Sequence, residues 1–123
     1  VMGNFTASPD RIGSLWEHLV MQTIRATAQA LDKDIRMSVF RTAGGGEVDL
    51  ILEDGSNLFA IEIKSTKKVS ATDFRGLIAF SNFIGKRKCR FFVVSMDPHV
   101  QEFDAGMAIP LAKLWQYLEW ESE

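Results

Sequence analysis

The sequence predicts an α/β (α+β) domain in which a mixed sheet is flanked by helices. Three observations predict this class. Apolar residues recur at helical spacing over 8–31, two alternating runs and a third strand-like run follow between 35 and 65, and a second helical pattern leads into a continuous apolar run. A short amphipathic segment comes last. The predicted order of elements is therefore α-β-β-β-α-β-α.

The first helix is predicted to begin at Ser8-Pro9-Asp10. A serine N-cap, a proline at the first helical position and an acidic residue in the first turn all favour a helix start. Apolar residues then recur at spacings of three and four and form one stripe. The stripe consists of Ile12, Leu15, Trp16, Leu19, Val20, Ile24 and Leu31.

Three strands are predicted after this helix. The run 35–41 alternates and ends at a glycine-rich turn over 43–46, which tolerates positive φ. The run 47–53 closes at Asp54-Gly55, a strong hairpin signal, and the third strand covers 58–65. Tight connections predict an antiparallel meander.

A second helix is predicted from the capping-box pattern at Ser70 and Asp73 up to Gly85. The fourth strand, Arg90 to Ser95, contains four consecutive apolar residues, as a strand buried on both faces does. The intervening helix allows this strand to pair in parallel with the third.

The last part of the chain is predicted to be irregular after Asp97-Pro98. Ile109-Pro110 then opens a short C-terminal helix with an apolar side.

Length and composition predict a single domain over residues 1–123. The chain is 46% hydrophobic and 24% charged, as in ordinary globular proteins, and its net charge of −2 gives no general indication of nucleic-acid binding. A single cysteine, Cys89, excludes an intrachain disulfide and favours a reducing, cytoplasmic location. No apolar run reaches the roughly 18 to 20 residues that span a bilayer. A homo-oligomer is left open.

Strand alternation brings acidic side chains together. On the third strand Glu62 and Lys64 share a face. On the second strand Val48, Leu50 and Leu52 are expected on one face, which puts Asp49 on the other and, across the hairpin, beside Glu62. Two carboxylates that converge in this way suit a hard cation such as Mg²⁺, which retains several waters.

Glu17 is a further candidate for this site. Its neighbours at helical spacing are apolar, so it lies at the flank of the stripe. From there a carboxylate can reach over the sheet toward the metal.

The same residues also have a purely structural interpretation. Glu62 and Lys64 form an E-x-K pattern that occurs by chance about once in every few hundred residues. Cross-strand Glu and Lys on a solvated face are also ordinary sheet pairing. Only the combination of a helical Glu, an E-V-D triplet and an E-I-K triplet joined by a tight turn is specific.

Several segments together resemble the PD-(D/E)XK nuclease superfamily. The resemblance is greatest to the nuclease-like domain that follows the ATPase module in prokaryotic AAA-type ATPases. It rests on Gly13-Ser14-Leu15-Trp16-Glu17, Arg41, Glu47-Val48-Asp49, Ile61-Glu62-Ile63-Lys64-Ser65, Gly76-Leu77 and Ile109-Pro110-Leu111.

This resemblance implies a restriction-endonuclease-like α-β-β-β-α-β core. It also implies that Asp49 and Glu62 hold the metal, that Glu17 contacts it directly or through water, and that Lys64 positions or activates the attacking water. The sequence departs from the superfamily pattern in having Val48 where the name has proline. It also lacks a clear glutamine-bearing motif in the second helix, a feature that would separate active members from inactive relatives.

Basic residues near the predicted site are candidates for nucleic-acid binding. Lys67, Lys68 and Arg75 follow the E-I-K strand and could contact phosphates, which give sequence-independent affinity. The alternative is a solvated loop.

Two functions are consistent with these patterns. The first is a Mg²⁺-dependent nuclease, with Mn²⁺ able to substitute, that acts on DNA. The second is a non-catalytic module with the same fold that binds nucleic acid or docks on an ATPase partner.

Overall fold

The computed structural model describes residues 9–121, and within them a helix, three strands, a second helix, three further strands and a third helix follow one another. The bounds are α1 Pro9–Ala30, β1 Ile35–Arg41, β2 Glu47–Asp54, β3 Asn57–Ile63, α2 Arg75–Ile84, β4 Arg90–Ser95, β5 Gln101–Phe103, β6 Gly106–Pro110 and α3 Leu114–Leu118. Short 3₁₀ turns, Ala71–Phe74 and Leu111–Lys113, precede α2 and α3. The predicted Ser8 cap lies outside the described residues.

The strands form one mixed sheet in the order β1-β2-β3-β4-β6-β5. The β1–β2–β3 meander is antiparallel and β3 pairs in parallel with β4, as the sequence predicts. The predicted α/β (α+β) class with helices flanking a mixed sheet is therefore confirmed at this general level.

The prediction of an irregular segment before the last helix is wrong. Residues 101–110 form the β5–β6 hairpin, and β6 pairs in parallel with β4. Ala108 and Ile109 of β6 are fully buried, so this short strand lacks the polar alternation by which a strand is recognised. Ile109 and Pro110 end β6, and the helical turn begins only at Leu111.

The core is divided between the two faces of the sheet. On one face α1 and α3 pack through residues such as Ile24 and Leu114. On the other face α2 packs through Phe74, Leu77 and Phe80. Helices thus cover both faces of the sheet. Side chains at the ends of the strands are therefore the ones that remain accessible for a site.

A shift of register in β2 changes the predicted faces of that strand. Residues 38–40 of β1 oppose residues 48–51 of β2, so β2 contains one extra residue. Leu50 and Leu52 belong to the core beneath α1, whereas Val48 belongs to the core beneath α2. The expectation that these three side chains share a face is therefore wrong, because an extra residue reverses the alternation.

No helix in the described part of the chain is both long enough and apolar enough to cross a membrane.

The start of α2 lies directly against the start of β2. A Cβ atom at Gly76 would overlap the backbone carbonyl oxygen of Glu47 and lie 3.3 Å from Oε2 of Glu62. Any side chain at this position would force α2 away from the sheet. Gly76 is therefore the residue that allows the helix to close over Glu62.

We predict that Gly76→Ala lowers the free energy of unfolding by about 1–3 kcal/mol, because the new methyl group overlaps a backbone carbonyl that cannot move aside. Urea denaturation measures this change. Gly44→Ala is the matched control, since a Cβ there meets nothing within 4 Å. Equal stability of the two variants would contradict the close approach of α2 to β2.

Candidate functional site

A cavity of about 550 Å³ lies where the ends of β2 and β3 meet the start of α2. Five of the residues singled out from the sequence line it. The lining residues come from α1, the β1–β2 turn, β2, β3 and the residue after it, the 3₁₀ turn before α2 and the start of α2. They are Glu17, Gly45, Gly46, Glu47, Asp49, Glu62, Ile63, Lys64, Thr72, Asp73, Arg75 and Gly76.

Asp49 and Glu62 lie side by side where β2 separates from β3. The last regular pair of this ladder is Leu50 with Ile61. Beyond it the Asp49 backbone N–H donates to Oε1 of Glu62 at 3.1 Å, and the Ile63 N–H donates to Oδ2 of Asp49 at 2.8 Å. The two carboxylates thus replace the backbone acceptors that the ladder no longer supplies.

Glu62 holds its proton far more strongly than an ordinary glutamate. Its side chain is only 7% exposed. Burial, the side-chain hydrogen bond with Asp49 and the negative charge of Asp49 together raise the pKa of Glu62 to about 9, against the lowering effects of Lys64 and of the Asp49 backbone N–H. At neutral pH Glu62 therefore carries a proton in the absence of a bound cation.

Glu17 lies on the exposed surface of α1 at the rim of the same cavity. Partial burial raises the pKa of Glu17, and the negative charges of Asp49 and Glu47 raise it further. Across residues 9–121 there is no group of three or more His, Cys, Asp or Glu placed to hold a metal ion. The charge of Asp49 therefore affects Glu17. Glu17, Asp49 and Glu62 do not, however, form a group of three ligands for a metal ion in the described part of the chain.

The donor set suits a cation that needs few protein ligands. Asp49 and Glu62 present two carboxylates whose mutual repulsion is relieved by a proton and would equally be relieved by a divalent ion. Mg²⁺ is commonly bound through one or two carboxylates and keeps several waters. The two carboxylates are therefore donors of the kind and number that Mg²⁺ takes from a protein.

Two of the predicted basic residues line the cavity. Lys64 follows β3, and its backbone N–H donates to the Val94 carbonyl at 3.0 Å, which extends the β3–β4 ladder to the site. Arg75 is the first residue of α2, and its side chain is exposed. Both cations thus line the same cavity as the carboxylate pair.

Lys67 and Lys68 lie outside the cavity, exposed on the loop that follows Lys64. This loop is fixed to the end of β4. The Val69 N–H donates to Oδ2 of the buried Asp97 at 3.4 Å. The Met96 N–H donates to the carbonyl oxygen of Thr66, which belongs to the loop, at 3.1 Å. The two lysines are therefore carried on an ordered loop next to the site.

Sequence reasoning gave no role to several residues that line the cavity. The sequence assigns Gly45 and Gly46 to a turn and Asp73 to a helix cap, and it gives Thr72 no role. The β1–β2 turn and the 3₁₀ turn before α2 bring these four residues to the cavity. Glu47 belongs to the E-V-D triplet, and this position is the one feature of the sequence that indicates a place for Glu47 near the site.

The fold and the cavity define an α+β domain with an acidic cleft at one end of its sheet. Residues 12–114 match the model of a domain of unknown function, DUF4143, and the chain belongs to this family. The family is often found in AAA-ATPase-associated proteins. A comparison with curated proteins gave no match.

We predict that the free energy of unfolding, measured without divalent cations, falls as the pH rises from 4.5 to about 9. Glu62 binds a proton in the folded protein over this range, whereas the unfolded chain, with its ordinary pKa of 4.5, has lost it. Urea denaturation at several pH values checks this slope.

Glu62→Gln should remove most of this pH dependence, because the neutral amide reproduces the protonated acid. The variant should also be more stable than the wild type at the upper end of the range. Glu102→Gln, at an exposed position on β5, is the control and should keep the wild-type slope. A wild-type stability that rises with pH over this range would contradict the assignment.

Proposed function

We propose that this domain is a divalent-metal-dependent nuclease that hydrolyses phosphodiester bonds, with DNA as its substrate. The observation that carries the proposal is the adjacent carboxylate pair of Asp49 and Glu62, with the ammonium group of Lys64 lining the same cavity. Packing of the sheet alone does not call for two adjacent carboxylates, because burial of a carboxylate costs free energy unless a partner compensates its charge.

The residues of the chain have separate roles in this proposal. Asp49 and Glu62 would hold Mg²⁺, which supplies Lewis-acid polarisation of the phosphate when bound. Lys64 positions the attacking water and stabilises the negative charge that develops on the phosphate. Glu17 accepts a hydrogen bond from water at the rim. Arg75 contacts a neighbouring phosphate.

Lys67 and Lys68 add affinity at a greater distance. They are exposed, and the loop that carries them is tied to β4 by backbone hydrogen bonds. Phosphate contacts of this kind carry no sequence information, so they favour binding to any nucleic acid of suitable shape.

A second candidate function is a non-catalytic module that binds nucleic acid or docks on an ATPase partner. Two observations favour it. Asp49 and Glu62 already accept backbone hydrogen bonds, as residues kept for structure would, and the family is often found in AAA-ATPase-associated proteins. The two functions differ in whether the carboxylate pair takes up a metal ion.

We predict that the wild type cleaves plasmid or single-stranded DNA with Mg²⁺ or Mn²⁺ and that Lys64→Ala lowers the rate about 10²-fold or more, as loss of a group that stabilises transition-state charge does. Gel assays under single-turnover conditions measure this. Lys113→Ala, at an exposed position before α3, is the matched control and should cleave at the wild-type rate. Equal rates for wild type and Lys64→Ala would refute the catalytic role.

Calorimetric titration with Mn²⁺ separates the two functions. We expect binding at micromolar levels that is lost in Asp49→Asn and kept in Asp104→Asn, a change at an exposed position in the β5–β6 turn. The nuclease proposal requires this difference, because Asp49 is one of the two carboxylates proposed to hold the ion. Absence of Mn²⁺ binding by the wild type would favour the non-catalytic module.

A further inference from the structure

Acidic groups outnumber basic groups in the lining of the cavity. Five carboxyl side chains stand against two cationic ones, Lys64 and Arg75. The carboxyl groups belong to Glu17, Glu47, Asp49, Glu62 and Asp73. A nucleic-acid backbone, itself polyanionic, needs further positive charge at the mouth of such a cavity in order to approach.

Arg41 brings positive charge to this mouth. It is the last residue of β1 and pairs in the ladder with Glu47, the first residue of β2. Its Nε lies 3.5 Å from Oε1 of Glu47. Its charge also lowers the pKa of Glu17, so the guanidinium lies within electrostatic reach of that carboxyl as well. Arg41 thus sits near two carboxyl groups that line the cavity.

Arg41 can give up its ion pair with Glu47 at little cost in stability and take another anion as its partner. The two side chains are 74% and 53% exposed, and ion pairs in such positions contribute little to stability. The contact uses Nε, so the pair does not require the two terminal nitrogens of the guanidinium. A phosphate offers a stronger, bidentate partner to those nitrogens than the exposed carboxylate does.

We infer that Arg41 is a phosphate-binding residue of the site. Its guanidinium breaks the ion pair with Glu47 and binds a backbone phosphate of the nucleic acid at the mouth of the cavity. This inference rests on the proposed function and deepens it by adding a subsite. With Arg75 at the start of α2, it gives the acidic cavity two guanidinium groups for phosphates that flank the reacting one.

Arg36 provides a matched control on the same strand. It too is exposed on β1 and pairs in the ladder with a glutamate, Glu53 of β2. It lies five positions before Arg41, at the far end of the strand, and it does not line the cavity. Replacement of either arginine removes one positive charge. A difference between the two variants in DNA binding therefore reports a local role of Arg41 and not a change in net charge.

The test is fluorescence anisotropy with a labelled DNA oligonucleotide and Mg²⁺, in a Lys64→Ala background so that the DNA stays intact. Arg41→Ala should weaken binding about tenfold, as loss of a charged hydrogen bond does. It should also reduce the slope of log K against log salt by about one, whereas Arg36→Ala should change neither. Arg41→Lys should keep the slope and lose affinity, because it keeps the charge without the bidentate geometry.

Glu47→Gln offers a test in the other direction. Removal of the competing carboxylate should release Arg41 and tighten DNA binding several-fold. Urea denaturation of each variant should give an unchanged midpoint, since the side chains are exposed.

The outcomes separate this inference from the proposed function. If the wild type cleaves DNA and Arg41→Ala changes neither affinity nor slope, the subsite is refuted and the nuclease stands. If Arg36→Ala weakens binding as much as Arg41→Ala does, the effect is one of general charge and the subsite is also refuted. If the wild type, with Lys64 and Arg41 both intact, neither binds nor cleaves DNA, both the subsite and the proposed substrate are overturned.

Discussion

The hydrogen bonds at the point where β2 leaves β3 determine much of this structure. Asp49 donates to Glu62 through its backbone, and its carboxylate accepts from the Ile63 N–H. These bonds let the ladder end in the interior without leaving backbone groups unsatisfied. The extra residue in β2 and the close approach of α2 at Gly76 both occur at this place. The same contacts that end the ladder therefore form the floor of the cavity.

The arrangement of charge follows from this constraint. A carboxylate that replaces a backbone acceptor must be close to the sheet, so it loses water and gains a proton or a cation. Glu62, with a pKa of about 9, is the clearest case. The basic groups lie farther out, on the loop after Lys64, at Arg75 and at Arg41. A buried carboxylate pair with cationic groups nearer the surface is the arrangement that the proposed metal ion and phosphate require.

Much of the fold could be predicted because its signals are local. α1 has a long apolar stripe, β1 alternates, and the hairpin at Gly55 fixes the neighbourhood of Asp49 and Glu62. The β5–β6 hairpin could not be predicted, since its strands are short and Ile109 is buried without alternation. The extra residue in β2 has no local signal, because it depends on how two strands pair. The position of Glu17 depends on how α1 packs against the sheet, which periodicity alone does not give.

The central claim is that Asp49 and Glu62 together form a cation site. A crystal soaked in Mn²⁺ and measured for anomalous scattering tests this most directly. The account predicts one anomalous peak within coordination distance of both carboxylates, with waters completing the shell toward Glu17. A soaked crystal with no peak at this pair, while Glu62 keeps its hydrogen bond to the Asp49 N–H, would contradict the account.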